Sequence, residues 1–392
     1  MNEAREMAQT RLAVLDGLRG IAVLLVLWYH IWEISWLPAP LPALQFIPET
    51  GFAGVDLFFF ISGFVIVYPF VKAAFAGHAP PGWGAFAYRR AIKILPSYLL
   101  SIVVAIAIGY AHFSSFGDAA AAIVTHLLFI HTWWHATYGA INGVLWTLAV
   151  EVEFYALFPL LWLAFSRRPF VTAGAMVLAA QLYRSYAQSC CWLTSTELLI
   201  ENLPGYLDVF AAGMIAAYLY VRIRDRSNRW TKAASTLAAA AGFVLFAALL
   251  QNLWAMRTAD QWSTAWAIHN RTLVAAAFFL MGLGSLLAFP VWQRALANRV
   301  LLFFAVISYN LYLYHQIFAR ELLAWRFPNY RGTDEHLDPH WQLAYTIVAF
   351  AVTIAQATLV TYAFERPLLR VPQERWRALA SRFGKSRALA DT

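Results

Sequence analysis

Long runs of apolar residues recur along the whole chain, separated by short polar segments. Many of these runs approach or exceed the roughly 20 residues that a helix needs to cross a bilayer. The runs are continuous and do not alternate with polar residues, which predicts helices rather than strands. The eleven apolar segments are 17–36, 52–72, 95–113, 119–133, 145–165, 170–184, 203–222, 232–251, 270–289, 300–325 and 341–364.

Lys and Arg cluster in some of the polar segments and are absent from others. The basic segments are 88–93, 166–168, 222–232, 290–299 and the chain after 365, whereas 37–51 and 113–145 contain neither residue. Cytoplasmic loops of membrane proteins are enriched in Lys and Arg. All basic segments can face the cytoplasm only if one of the eleven apolar segments does not span. The short segment 119–133, with His126 and His131, is the best candidate, and it is predicted to lie in the interface or to re-enter.

The sequence therefore predicts an all-α, polytopic helical bundle of about ten transmembrane helices. We expect both termini to be cytoplasmic and the membrane to be a bacterial inner membrane. Residues 1–367 form one membrane domain, and residues 368–392 form a basic tail. Within that tail, Trp376, Leu379 and Phe383 share one helical face among arginines, which indicates a helix lying on the membrane surface.

Composition agrees with a membrane protein. The chain is 61% hydrophobic and only 13% charged, far from the balance of a soluble domain. The net charge of +8 is explained by the basic loops, so nucleic-acid binding is not expected. The two cysteines, Cys190 and Cys191, are adjacent and offer neither metal-ligand spacing nor a disulfide framework. No metal site is predicted.

The first apolar segment contains two polar residues that hydrocarbon disfavours, Arg19 and His30. Eleven residues separate them, a rise of about 16 Å and a rotation of three turns plus about 20°, so both side chains face the same way. Arg19 alone could be an interfacial anchor and His30 an interfacial residue. Other polar residues lie at related depths in later segments, and the whole set favours a function. They are Asp56, Ser62, Arg89, Arg90, Lys93, Glu151, Glu153, Ser308 and His315.

Six motifs that carry these residues resemble, in the same order, the signatures of the acyltransferase-3 family of integral membrane acyltransferases. The resemblance covers roughly residues 12 to 367. The motifs are LDGLRGIAVLLVLWYH (15–30), GVDLFFFISGF (54–64), YRRAIKILPSY (88–98), WTLAVEVEFYALFP (146–159), SYNLYLYHQ (308–316) and FERP (364–367).

The resemblance implies transfer of an acyl group, often acetyl, from a cytoplasmic acyl-coenzyme A to a hydroxyl of a glycan or secondary metabolite. It also implies that Arg19 and His30 are essential and that a basic pair before the third span takes part. Here that pair is Arg90 and Lys93, where Lys keeps the charge but lacks the planar fork of Arg. Neighbouring Arg89 is a further candidate for the donor phosphates.

Physical chemistry suggests how such a site works. Arg19 and the basic residues before span three could hold phosphates, while the long arm of the donor runs along span one toward His30. His30 is then a general base or, alternatively, carries the acyl group itself. Further residues are expected to support it. Glu151 or Glu153 could orient His30 or the acceptor, Ser62 or Ser308 could hold the oxyanion, and Asp56 and His315 could bind substrate or assist.

One rival function is a proton-coupled transporter or flippase, because buried Arg, His and Glu residues also build proton paths. That class predicts broken helices or inverted repeats, and the sequence shows neither. The identity of the acceptor and the acyl chain length are not determined by the sequence.

Overall fold

A computed structural model describes residues 2–190, 198–258, 264–330, 332 and 334–370 of the chain. The described residues form a helical bundle without strands. Eleven helices carry the architecture. They are α1 Asn2–Ser35, α2 Gly54–Phe75, α3 Trp83–Ala107, α4 Phe116–Leu127, α5 Trp146–Phe165, α6 Pro169–Cys190, α7 Leu207–Ile223, α8 Arg229–Thr258, α9 Thr264–Leu287, α10 Arg299–Ala324 and α11 Pro339–Val360.

The lengths of these helices confirm the predicted fold class. Within the described ranges, nine helical segments are long and apolar enough to cross a bilayer. The tenth predicted span, 170–184, lies in α6, whose 22 residues rise about 33 Å but include the polar Gln181 and Arg184. The twelve residues of α4 rise only about 18 Å. This helix is too short to span, as the distribution of basic loops predicted.

Short elements complete the connections between the long helices. One short helix, Phe46–Thr50, precedes α2, and another, Pro290–Leu296, precedes α10. A π-helical turn, Thr361–Glu365, continues α11 into a last turn at Arg366–Leu369. The predicted surface helix of the tail and Cys191 both lie outside the described residues.

Helix α1 packs closely along α10, and small residues make this possible. A Cβ at Gly20 would collide with the backbone carbonyl of Leu301, and one at Gly17 would collide with that of Leu296. The two helices run parallel, since Gly20 meets the start of α10 while His30 meets His315 further along. This packing places both polar residues of α1 beside the polar stretch of α10.

Candidate active site

Two cavities lie inside the bundle, at successive depths along α1. We call the first the Arg19 cavity; it has a volume of about 280 Å³ and is bordered by α1, α2, α3, α5 and α10. We call the second the His30 cavity; it has a volume of about 490 Å³ and is bordered mainly by α1, α2, α9, α10 and the segments around 135–146 and 198–206. Most of the predicted site residues therefore border one of the two cavities, whereas Arg89, Glu153 and His315 border neither.

The same four helices contribute to both cavities. On α1, the eleven-residue spacing directs one side chain into each chamber from the same face of the helix. The pairs, with the residue of the Arg19 cavity first, are Arg19 and His30 on α1, Ser62 and Asp56 on α2, Glu151 and Trp146 on α5, and Ser308 and Gln316 on α10. The sequence suggested one continuous channel along α1, whereas the structure divides it into two cavities.

The Arg19 cavity contains an excess of positive charge near its lining. The Arg19 guanidinium is 3.4 Å from Asp16 Oδ1, and its side chain remains 32% exposed. The Arg90 guanidinium lies 5.7 Å from the centre of the Tyr155 ring, and its buried Nε has no hydrogen-bond partner among the described residues. Arg89 is exposed and does not border the cavity. Two guanidinium groups are thus available to an anionic ligand.

Lys93 also borders the Arg19 cavity, but its charge is compensated. Its ammonium pairs with Glu365, whose side chain is only 4% exposed. Asn310 Nδ2 donates to Glu365 Oε2 at 2.5 Å and to Thr361 Oγ1 at 2.9 Å. This network joins α3, α10 and the π-helical turn, so Lys93 has a buried carboxylate partner, whereas the Asp16 partner of Arg19 is half exposed.

The two glutamates of α5 point to different surroundings. Glu151 borders the Arg19 cavity and accepts hydrogen bonds from Ser62 Oγ at 2.5 Å and from the hydroxyl of Tyr155. Glu153 accepts a hydrogen bond from Trp133 Nε1 at 2.8 Å. Neither has a hydrogen bond to His30 in this structure.

The serine hydroxyls expected near an oxyanion are both engaged in the Arg19 cavity. Ser62 donates to Glu151, and Ser308 Oγ donates to the Ala305 carbonyl at 2.9 Å. A hydroxyl that donates its proton elsewhere cannot at the same time stabilise an oxyanion. The arrangement therefore supports a role for Ser62 in holding Glu151.

His30 has a defined orientation. Its Nδ1 lies 3.0 Å from the Val26 carbonyl oxygen, which can only accept a hydrogen bond, so Nδ1 carries the proton of the neutral ring. The remaining nitrogen, Nε2, then carries the basic lone pair. The ring centre lies 4.8 Å from that of His315, whose Nδ1 in turn donates to the Tyr312 carbonyl at 2.8 Å. This arrangement suits His30 for accepting a proton.

The His30 cavity also contains a polar wall that the sequence did not single out. Arg271 Nε lies 4.0 Å from Asp56 Oδ2, and its guanidinium carbon lies 4.0 Å from the centre of the Tyr206 ring. The Arg271 NH1 group donates to the Ile200 carbonyl at 2.8 Å. Glu201, on the same wall, accepts a 2.5 Å hydrogen bond from Tyr138.

A fully buried ion pair supports this wall. The Arg184 guanidinium binds both carboxylate oxygens of Asp208, at 3.1 and 2.7 Å, and donates to the Gly205 carbonyl at 2.6 Å. The Gly205 carbonyl lies within the turn that carries Tyr206. Sequence reasoning missed Arg184, Asp208 and Arg271, although ionisable residues inside predicted spans were a signal that could have found them.

The chemistry of the two cavities differs. The Arg19 cavity offers guanidinium groups to an anion, and the His30 cavity offers a basic imidazole beside carboxylates and aromatic rings. Among the residues described, no group of three or more His, Cys, Asp or Glu side chains is arranged to hold a metal ion.

Comparisons with known proteins agree with the resemblance seen in the motifs. A family model described as an acyltransferase domain matches residues 12–361. "Putative acetyltransferase ORF330" of Acidianus two-tailed virus is 25% identical over 319 residues, covering 78% of this chain and 82% of its own. "O-acetyltransferase OatA" of Staphylococcus aureus (strain NCTC 8325 / PS 47) is 24% identical over 320 residues, covering 77% of this chain.

This chain matches only part of some relatives. The match spans 49% of the length of the Staphylococcus protein. "Peptidoglycan O-acetyltransferase OatA" of Listeria monocytogenes is 27% identical over 162 residues, which cover 38% of this chain and 24% of its own. No solved structure matches this chain.

Proposed function

This chain belongs to the acyltransferase family whose domain model it matches, and from that premise we propose that it is a membrane O-acetyltransferase with acetyl-coenzyme A as donor. The acceptor is a hydroxyl of a saccharide, such as a cell-surface glycan, or of a secondary metabolite. The observation that carries the proposal is the adjacency of two chambers. One presents guanidinium groups for phosphates, and the next presents an oriented imidazole.

The donor occupies the Arg19 cavity in this proposal. Arg19 and Arg90 bind phosphate oxygens of coenzyme A through charge-assisted hydrogen bonds. Lys93 contributes less, because Glu365 already compensates its charge. The Arg19 cavity then faces the cytoplasm, where coenzyme A is found, and both chain termini lie on that side.

The acceptor occupies the His30 cavity. Carboxylates such as Asp56 accept hydrogen bonds from hydroxyl groups, and aromatic rings such as Trp146 and Tyr206 offer faces for a sugar ring. One relative is named for acetylating peptidoglycan, a saccharide polymer, which favours a saccharide acceptor here.

The reaction proceeds at the boundary between the chambers. His30 Nε2 takes the proton of the acceptor hydroxyl while its oxygen bonds to the thioester carbonyl carbon. The tetrahedral intermediate then collapses, the carbon–sulfur bond breaks, and coenzyme A leaves as a thiolate that takes up the proton held by His30, which returns the imidazole to its neutral form. The products are the acetyl ester and free coenzyme A.

A pair of adjacent arginines provides the test. Purified protein in liposomes receives labelled acetyl-coenzyme A, and release of coenzyme A is measured chromatographically. Arg90→Ala should raise the apparent KM for the donor about 10- to 100-fold, the effect of losing one charge-assisted hydrogen bond. Arg89→Ala is the matched control, because Arg89 is exposed and away from the cavity, and its KM should stay within about twofold. An unchanged KM in Arg90→Ala contradicts the donor site.

A further inference from the structure

Among the residues that the structure describes, two border both cavities, and we infer that they form a partition that limits the length of the transferred acyl group. They are Val55 of α2 and Tyr312 of α10. The other residues that border either cavity border only that one. The inference rests on the proposed function, because it requires a donor in the Arg19 cavity and a base in the His30 cavity.

Tyr312 is held firmly in this position. Thr147 Oγ1 donates to the Tyr312 hydroxyl at 3.0 Å, and that hydroxyl donates to the Val144 carbonyl at 3.2 Å. The ring packs edge-on against Phe58, with 5.9 Å between ring centres, and the residue is only 6% exposed. Moving the ring would break two hydrogen bonds inside the bundle, so Tyr312 acts as a fixed wall.

Val55 borders both cavities from a constrained stretch of backbone. The residue is 7% exposed, and a β-branched side chain in a helix strongly prefers one rotamer. Its neighbour Gly54 lies so close to α1 that an added Cβ would meet the Ala22 carbonyl oxygen at 2.5 Å. Helix α2 therefore cannot shift further toward α1 at this position, and Val55 cannot clear the passage by such a shift.

The partition has a chemical consequence for the donor. The thioester carbonyl must reach the boundary for the acceptor oxygen in the His30 cavity to attack it. An acetyl group adds only one methyl beyond that carbonyl. A longer acyl chain must pass between Val55 and Tyr312 or find space among the apolar side chains on the Arg19 side, such as Phe58 and Leu148. The wall therefore favours acetyl over longer acyl groups.

The experiment compares acyl donors of different length. Purified protein in liposomes receives acetyl- or hexanoyl-coenzyme A with a p-nitrophenyl glycoside as the hydroxyl acceptor, and release of coenzyme A gives kcat/KM for each donor. The measured quantity is the ratio of the hexanoyl to the acetyl value. Val55→Ala should raise this ratio at least about tenfold, because it removes two methylene-sized groups from the passage.

A control and a second variant isolate the passage. Val67→Ala makes the same change at a buried position of the same helix, but Val67 borders neither cavity, so the ratio should stay within about twofold of wild type. Tyr312→Phe keeps the ring and removes both hydroxyl hydrogen bonds, so it should raise the ratio by a smaller factor. It serves as the test if Val55→Ala does not fold.

The outcomes separate the two levels of the proposal. If Val55→Ala and Tyr312→Phe use both donors with the wild-type ratio of hexanoyl to acetyl kcat/KM, the partition is overturned and the proposed function stays intact. An equal rise in Val67→Ala also overturns it, because the effect is then not specific to the residues that border both cavities. Wild-type protein that releases no coenzyme A from acetyl-coenzyme A overturns the proposed function itself.

Discussion

Replacing Arg184 by Met should destabilise the bundle strongly, because it removes one partner of a buried ion pair. Both side chains of the Arg184–Asp208 pair are fully buried. After the substitution, the Asp208 carboxylate still accepts hydrogen bonds from the Thr272 hydroxyl at 2.5 Å and from the backbone N–H of Val209 at 3.0 Å. The substitution also removes the hydrogen bond to the Gly205 carbonyl. Breaking a buried pair on one side typically costs about 3–5 kcal/mol.

The assay is unfolding of the purified protein in detergent, followed by circular dichroism. Arg184→Met should lower the unfolding free energy by about 3–5 kcal/mol. The double variant Arg184→Met/Asp208→Leu should recover a large part of that loss, because no uncompensated charge remains. Arg226→Met, at an exposed arginine, is the matched control and should change stability by less than about 0.5 kcal/mol. The reasoning is refuted if Arg184→Met is as stable as Arg226→Met. It is also refuted if the double variant is no more stable than Arg184→Met.

Two further predictions concern packing and pH. Gly20→Ala should lower the unfolding free energy by about 1–3 kcal/mol through its clash with Leu301. A Cβ added at Gly174 meets open space, so Gly174→Ala should be neutral or slightly stabilising in the same unfolding assay. An equal loss of unfolding free energy in the two variants would contradict the packing argument. Burial lowers the pKa of His126 to about 4 and that of His131 to about 3. The unfolded chain, with a histidine pKa near 6.5, binds more protons below that pH. Stability should therefore fall as the pH drops below 6.5, by roughly 2 kcal/mol per histidine at pH 5, and level off near pH 3. The unfolding free energy measured from pH 7.5 to 4.5 checks this prediction. If His126→Gln showed the same change of unfolding free energy with pH as the wild type, the prediction would be contradicted.

Much of the fold follows from local patterns in the sequence. Continuous apolar runs predict the spanning helices, and the distribution of basic residues identifies 119–133 as the segment that does not span. The common direction of Arg19 and His30 follows from the helical period alone. These features need only information within one helix or its adjacent loops.

The division of the site into two cavities could not be predicted in this way. It depends on two side chains of α2 and α10 that border both cavities, Val55 and Tyr312, and these residues are distant in the chain. The pairing of Lys93 with Glu365 has the same origin, because 272 residues separate the two. Local periodicity does not determine contacts of this kind.

The α5 glutamates show how far periodicity does reach. Side chains two residues apart on a helix point about 200° from one another, so the helical period predicts different surroundings for Glu151 and Glu153. The structure places Glu151 at the Arg19 cavity and Glu153 beside Trp133. The period predicted the difference, but only the packing of α5 against its neighbours decides which glutamate borders the cavity.

The central claim is that His30 removes the proton of the acceptor hydroxyl, and one rate comparison tests it most directly. Purified wild-type protein, His30→Ala and the control His269→Ala, at an exposed histidine of α9, receive the glycoside acceptor and a range of acetyl-coenzyme A concentrations up to saturation. The account predicts that kcat falls about 10²- to 10⁴-fold in His30→Ala, with the KM for the donor within about threefold and the control unaffected. A His30→Ala protein that transfers acetyl groups at close to the wild-type rate would contradict it.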